Sequence, residues 1–397
     1  MSAAAGLQAR DPMNVLFLSP AFPPNAYLFC TALASRGVTV LGIGDSPPHD
    51  VRPELWGALR EYVHVPSLAD YDSVYRATAG LIARHGRLHR LDMQIELWLD
   101  LSGRLRDDFN VPGLRAGTLA LQRRKSGMAT LFDAAGVRRI PGELVTTLER
   151  ARELARSLGY PLICKPDSGA GAVATFAIGN DDELQAAFER PIAGNILQPF
   201  VTGDIVTYDG LTDREGRIVY VTAHRYDTGI MEVVSGALDG HYWSMRDIPP
   251  ALDDVGRRAV AAFDVRERFF HLEFFETPSG YVGLEMNLRP PGGFTTDMMN
   301  YAADIDVYDL WARGVVGDDL SSFTFERKYH VAHAGRRLSR RYARSHEELV
   351  TALGPRLVLF RRLPAELSAM QGDVMYLLRD RDEPAVREAI RLVQEPA

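Results

Sequence analysis

Between His271 and Pro290 the chain gathers Glu273, Glu285, Asn287 and Arg289 in otherwise apolar surroundings. Pro278-Ser279-Gly280 separates Phe274-Phe275-Glu276 from Tyr281-Val282-Gly283-Leu284, a spacing that predicts a β-hairpin. In such a hairpin Glu273 and Glu285 lie side by side on neighbouring strands. Strand alternation then points Glu285, Asn287 and Arg289 to one face. Two carboxylates and an amide oxygen suit Mg²⁺, which takes one or two carboxylates together with substrate phosphates. A guanidinium beside them meets a developing phosphoryl or carboxylate oxyanion with a planar fork of donors. A single Glu on a strand is ordinarily a solvated group, and Glu276 is read that way. Several polar positions at strict spacing are harder to explain without a site. His271 alternates with Glu273, so a place facing the site and a packed core position both stay open.

The elements that must position this hairpin follow from short apolar runs and their punctuation. Asn14 to Leu18, a helical stretch from Tyr27 to Ser35, and Val38 to Ile43 form a strand–helix–strand unit, which implies a parallel sheet. Its first turn, Ser19-Pro20-Ala21-Phe22-Pro23-Pro24, has no glycine for close approach of a pyrophosphate, so the unit is a scaffold. A strand at Tyr62–Val65, a helix from Tyr71 to His85 and an apolar-acidic helix from Met93 to Arg106 come next. The following block has a helix to Leu158, a strand at Leu162–Lys165, a small-residue loop from Asp167 to Ala172, a strand to Ile178, a helix from Asp181 and a strand at Asn195–Gln198. Strands then dominate: Ile205–Tyr208, Ile218–His224 and the two arms of the hairpin. The expected division is a leader at 1–12, an N-terminal α/β domain at 13–112, a linker helix and small lobe at 113–204, a larger lobe at 205–325 and an α/β tail at 326–397.

Composition and absences narrow the function. The chain has 397 residues, 46% of them hydrophobic and 24% charged, with a net charge of −7. That is the profile of a multidomain globular protein, and a mildly acidic one is a poor nucleic-acid binder. The arginines from Arg327 to Arg344 form a basic cluster without aromatic interleaving, read as a solvated or interface face. No apolar run reaches the roughly 20 residues of a membrane span. Cys30 and Cys164 sit in apolar runs and read as buried reduced thiols. A soluble cytoplasmic protein is the expectation. There is no G-x-x-x-x-G-K-[ST] loop, no G-x-S-x-G elbow and no zinc spacing, which leaves carboxylate and lysine chemistry.

The hairpin resembles the metal-binding end of the ATP-grasp superfamily: a Glu, a turn, then Glu-x-Asn-x-Arg-Pro, with much the same spacing in the biotin carboxylase branch. The resemblance runs through four motifs in order. Lys125-Ser126-Gly127-Met128 with Ala135-Gly136-Val137 and Pro141 is similar to the first lysine helix. Tyr160 to Pro166 is similar to the second lysine strand, and Asp167 to Ala172 to the glycine loop beyond it. Leu197-Gln198-Pro199-Phe200-Val201-Thr202-Gly203-Asp204 is similar to the hinge between lobes. Two departures stand out: Gln198 lies near a common hinge glutamate, and Asp204 stands in place of a longer ribose-binding glutamate.

The resemblance implies an α/β and α+β multidomain protein: the ATP-grasp fold, with an N-terminal parallel α/β lobe, a small lid lobe and an antiparallel C-terminal lobe. It implies ATP with Mg²⁺, or Mn²⁺ in its place, on Glu273, Glu285 and Asn287. Lys125, Lys165, Ser168, Gly169 and Gly171 would hold the phosphates; Gln198, Phe200, Val201 and Asp204 would hold the nucleoside. Arg289 and Lys165 carry the catalytic roles. Lys165 follows an apolar strand, where an idle lysine is costly to hold, whereas Lys125 beside Arg123 and Arg124 also fits a solvated helix lysine. The implied function is an ADP-forming ligase joining a small carboxylate to an amine through an acyl phosphate, acting on amino acids or small peptides, as a homodimer like many relatives. A bicarbonate-using carboxylase or carbamoyl-phosphate-type enzyme, and a nucleotide-binding regulator without turnover, are the alternatives.

Overall fold

The computed structural model describes residues 13–168, 175–189, 194–227 and 238–397. The leader expected at 1–12 and the loop positions Gly169 and Gly171 lie outside the described residues. Two compact units emerge, Met1–Leu119 with Tyr308–Leu320, and Ala120–Val307 with Ser321–Ala397. No helix among the described residues is long and apolar enough to cross a membrane.

In the first unit, β1 (Asn14–Leu18), β2 (Thr39–Gly44), β3 (Leu59–His64) and β4 (Arg90–Asp92) form a parallel sheet in the order β3-β2-β1-β4. β1 is buried along its whole length, as a parallel strand covered on both faces must be. The segment Tyr308–Leu320 belongs to this unit through aromatic packing. Phe29 meets Trp311 edge-on at 5.1 Å and Tyr308 at 4.8 Å, while Arg36 bridges Asp309 and Asp318. The helix expected from Met93 starts only at Leu99 and runs to Asp108. The Asp92 side chain accepts from the Met93 backbone at 2.8 Å, a local bond that competes with helix formation and delays its start.

The second unit holds two antiparallel sheets. The small one contains β5 (Glu143–Val145), β6 (Leu162–Pro166), β7 (Phe176–Ile178) and β8 (Asn195–Pro199), in the order β5-β8-β6-β7. Helices Leu148–Leu158 and Asp181–Phe188 cover it, burying Ala151, Ala155 and Leu184 against Cys164 and Leu197. Thr147 and Asn180 cap these helices by accepting from the backbone N–H groups of Arg150 and Glu183.

The large sheet contains β9 (Asp204–Thr212), β10 (Ile218–Tyr226), β11 (His241–Ser244), β12 (Phe269–Thr277), β13 (Gly280–Asn287), β14 (His330–Arg336), β15 (Leu357–Arg362) and β16 (Val374–Asp380). Its order is β13-β12-β9-β10-β11-β14-β16-β15, so the C-terminal strands extend the same sheet that carries the hairpin. Alternation separates its two faces. Tyr208, Phe270, Leu272 and Phe274 are fully buried on one. Helix Pro250–Ala262 packs there so closely that a Cβ on Gly256 would come within 2.5 Å of the Tyr208 ring. Thr207, Asp209, His271 and Glu273 take the other face.

The basic cluster is solvated at Arg340 and Arg341, which are exposed, but not at Arg336. Arg336 is buried and donates to the carbonyls of Val393 and Arg344. Arg337 donates to the carbonyls of Leu238 and Ala369, Arg340 pairs with Asp239, and Arg344 with Glu395. Carbonyls that would otherwise lack donors explain why guanidinium groups turn inward.

Candidate active site

Register builds the site. Across β12 and β13, Glu273 stands opposite Glu285 and His271 opposite Asn287. Across β12 and β9, Glu273 stands opposite Thr207 and His271 opposite Asp209. The pairing slips between Glu273 and Phe274, which leaves Leu284 as the extra residue of a bulge next to Glu285. Asn287 ends β13 and is buried, while Arg289 lies just beyond it and donates to the Pro290 carbonyl at 2.8 Å.

The two lysines arrive on elements that are latched together. The backbone N–H of Lys125, at the start of helix Lys125–Ala134, donates to the Asp167 carbonyl at 2.8 Å. The Asp167 carboxylate accepts from the Ser126 backbone at 2.8 Å and from its hydroxyl at 3.0 Å. A carboxylate at a helix N-terminus satisfies orphan N–H groups and meets the positive end of the helix dipole. The Lys125 ammonium lies 3.6 Å from Glu285, with both side chains largely buried, so Lys125 is not the solvated lysine that its flanking arginines allow. Lys165 is 7% exposed. Burial, followed by repulsion from Lys125, pulls its pKa down to about 8 despite the opposing pull of Glu285 and Glu273. A pocket of 270 Å³ opens beside them, lined by Lys125, Lys165, Ile196, Gln198, Gly283 and Leu284 among others.

Beneath the carboxylates runs a buried hydrogen-bonded chain. Asp209, 0% exposed, accepts from His271 Nδ1 at 2.5 Å on one oxygen and from His224 Nδ1 at 2.7 Å on the other, where the Thr207 hydroxyl also donates. His271 Nε2 is 3.1 Å from Glu273 Oε1. Burial pushes the Asp209 carboxyl up, but the His271 charge and the two imidazole hydrogen bonds outweigh it and hold it at about 2. Glu273 is also drawn below the usual carboxylate range: burial opposes this, and the His271 hydrogen bond and charge, with Arg289, prevail. Asp167, Asp209 and His224 did not stand out in the sequence. Only the position of β9 between β10 and β12 reveals the last two.

The remaining predicted residues are placed more loosely. Gln198 is buried and lines the pocket, and Val201 is half-buried. Phe200 is 42% exposed, with its backbone N–H bonded to the Pro161 carbonyl at 3.0 Å. Ser168 is exposed. Asp204 is exposed and paired with Arg225 at 3.2 Å, and the same guanidinium meets Glu276 at 2.6 Å. Glu276 also accepts from the Tyr281 hydroxyl at 3.0 Å, so it is engaged rather than simply solvated.

No family model matches the chain. Its fold closely follows that of an L-amino acid ligase from Bacillus licheniformis, with a TM-score of 0.75 at 16% identity over 96% of this chain and 97% of that one. The biotin carboxylase domain of the Hydrogenobacter thermophilus 2-oxoglutarate carboxylase superposes with a TM-score of 0.73 at 13% identity, over 97% of this chain and 90% of that one. In sequence, mitochondrial carbamoyl-phosphate synthase (ammonia) of Mus musculus is 21% identical over 203 residues, which is 49% of this chain and 13% of that protein's length. Likeness at these identities establishes architecture, and the architecture of this chain is the ATP-grasp fold.

Proposed function

We propose that the protein is an ATP-dependent, ADP-forming ligase that joins a carboxylate to an amine through an acyl phosphate, with an amino acid or small peptide as substrate. The observation that carries this reading is the meeting of Glu273, Glu285 and Asn287 on one hairpin with Lys125 and Lys165 on latched elements beside it. The similarity to an L-amino acid ligase over nearly the whole chain supports the substrate class.

The donor set fits a divalent cation carried in on nucleotide phosphates. Two facing carboxylates and an amide oxygen are all oxygen donors, and an ammonium already sits 3.6 Å from one of them. Among the described residues no group of three or more His, Cys, Asp or Glu side chains is arranged to hold a metal ion by itself. Glu273, Glu285 and Asn287 would hold Mg²⁺, or Mn²⁺ in its place, which when bound neutralises the phosphate oxygens as charge moves. Lys125 and Lys165 grip the phosphate chain as paired cations. A substrate carboxylate oxygen attacks the γ-phosphorus, the bond to the β,γ-bridging oxygen breaks, and ADP leaves. The amine nitrogen then attacks the acyl carbon, phosphate departs with one carboxylate oxygen, and the amine loses a proton. Arg289 meets the oxyanion formed on the way. In this reading the enzyme works on small molecules in the cytoplasm.

The test is nucleotide release from MgATP against a panel of amino acids, small carboxylates and bicarbonate, with hydroxylamine as a generic amine trap. ADP release that depends on one carboxylate, with a hydroxamate formed, is the expected result. Release of AMP with pyrophosphate overturns the mechanism. Release that depends on bicarbonate favours the carboxylase reading, which the biotin carboxylase neighbour supports. Nucleotide binding without turnover on the whole panel favours a regulator.

A further inference from the structure

The buried chain His224–Asp209–His271–Glu273 spans three strands, β10, β9 and β12. Asp209 and His224 are 0% and 1% exposed, and burying an ionised carboxylate costs several kcal/mol unless its partners compensate. Apolar residues of similar volume would fill the same space more cheaply. The chain also has a direction. Both Asp209 and an ionised Glu273 can only accept, so the imidazole between them must donate from both nitrogens. Asp209 therefore fixes the orientation of His271, and His271 in turn faces Glu273.

The two carboxylates of the hairpin are held differently. Glu285 has Lys125 3.6 Å away on a flexible four-carbon stem. Glu273 has a planar ring fixed at its far nitrogen by a buried carboxylate and at the sheet by its register opposite Asn287. The charges of Arg289 and Lys165 also act on Glu273, so the ring is what fixes its carboxylate among competing cations. We propose that His271, anchored by Asp209, is a positioning residue that aims the Glu273 carboxylate at a divalent cation carried by the nucleotide. The inference rests on the reading of this face as a metal–nucleotide site. Partners of this kind behind a ligand typically change metal affinity 10- to 100-fold.

The experiment measures Mn²⁺ binding by electron paramagnetic resonance in the presence of a non-hydrolysable ATP analogue, for the full chain and for His271→Gln and Asp209→Asn. Asp209→Asn keeps an oxygen acceptor for His271 Nδ1 but removes the charge that anchors the ring. Wild type should bind the ion, and each folded variant should bind it about 10- to 100-fold more weakly. In turnover assays the loss should appear as a raised KM for the metal, with kcat recovering at saturating metal, which a general structural defect would not produce. The double variant should lose no more than His271→Gln alone, because both act through one bond. Equal Mn²⁺ affinity in either folded variant overturns the proposal. If wild type itself binds no Mn²⁺ with the analogue, the metal–nucleotide reading fails instead. If His271→Gln does not fold, Asp209→Asn decides, since an isosteric change leaves the packing intact.

Discussion

Two histidines of the large sheet show how differently its halves are built. His271, on β12, and His333, on β14, are both buried. Burial alone disfavours the charged imidazole, and at His333 it wins, pulling the pKa down to about 4. At His271 burial pushes the same way, yet the Asp209 carboxylate and the Glu273 hydrogen bond reverse it and raise the pKa to about 9. Around His333 the sheet buries Val331, Met375 and Leu377 against Met298 and Phe294, an ordinary apolar core. Around His271 it buries Asp209, His224, Thr207 and Asn287. Equal inaccessibility thus accompanies opposite chemistry. The difference teaches that burial at β14–β16 packs apolar side chains, while burial across β9, β10, β12 and β13 encloses charges in a low local dielectric.

The sharpest way to break this comparison is to neutralise a charge on the polar half. Glu285→Gln keeps the volume and removes the carboxylate that faces Lys125 and that the proposed function assigns to the cation. Turnover should fall by about 10³-fold or more, because metal contacts contribute several kcal/mol to such transition states. The melting temperature should stay close to that of wild type, since the amide fills the same space on the edge strand β13. ADP release and thermal melting together check this, and full turnover in the variant would sink the assignment of Glu285 to the cation.

Lys165→Met should separate function from stability with a smaller effect. Nucleotide affinity should drop about 10- to 100-fold with the loss of the buried ammonium that the proposed function sets on the phosphates, a cost of about 1.4 to 2.7 kcal/mol. Stability should rise, because the lysine's folded pKa is depressed from 10.5 to about 8. Between those values the unfolded chain holds a proton that the folded chain does not, so wild-type stability climbs as pH rises from about 8 to 10.5. The charge burdens the fold fully at or below pH 8, and there the variant should melt at the highest temperature relative to wild type. Wild-type nucleotide affinity should weaken as pH rises through about 8, when Lys165 loses its charge. Isothermal titration and melting across pH 7 to 10 test both signs; a variant less stable than wild type at pH 7 would remove Lys165 from the class of strained functional groups.

Local geometry was legible and long-range pairing was not. The hairpin, both glutamates and Lys165 could be read because turn spacing and strand alternation act over a few residues. Asp209 and His224 carry no local mark, since each is one polar residue in an apolar strand. They gain meaning only when β9 lies between β10 and β12, a pairing of Asp209 with His271 across 62 positions. The C-terminal arginines misled for the same reason. Composition suggests solvent, but the carbonyls of Leu238 and Val393 that Arg337 and Arg336 reach are remote in sequence. Likewise the helix expected from Met93 fails at its first turn through a single side-chain bond from Asp92, which periodicity does not register.

The smallest expected effect lies on the apolar half. His333 stacks on Tyr242 at 5.1 Å; Nε2 meets the Gln371 carbonyl at 3.2 Å, and Nδ1 has no hydrogen-bond partner among the described residues. His333→Phe preserves the stacked ring and gives up one hydrogen bond of roughly 1 kcal/mol, so near pH 7 it should be mildly destabilising or neutral. Below pH 6.5 the sign changes. The unfolded chain protonates this histidine at about 6.5 and the folded chain only at about 4, so wild-type stability drops across that window by about 1.4 kcal/mol per pH unit from this group. The variant has no such group to protonate. By pH 5 it should therefore exceed wild type by about 1 kcal/mol, read as a crossover of urea midpoints between pH 7 and pH 5. Midpoints that stay parallel over that range would mean that His333 is not held neutral, and the contrast with His271 would then rest on Asp209 alone.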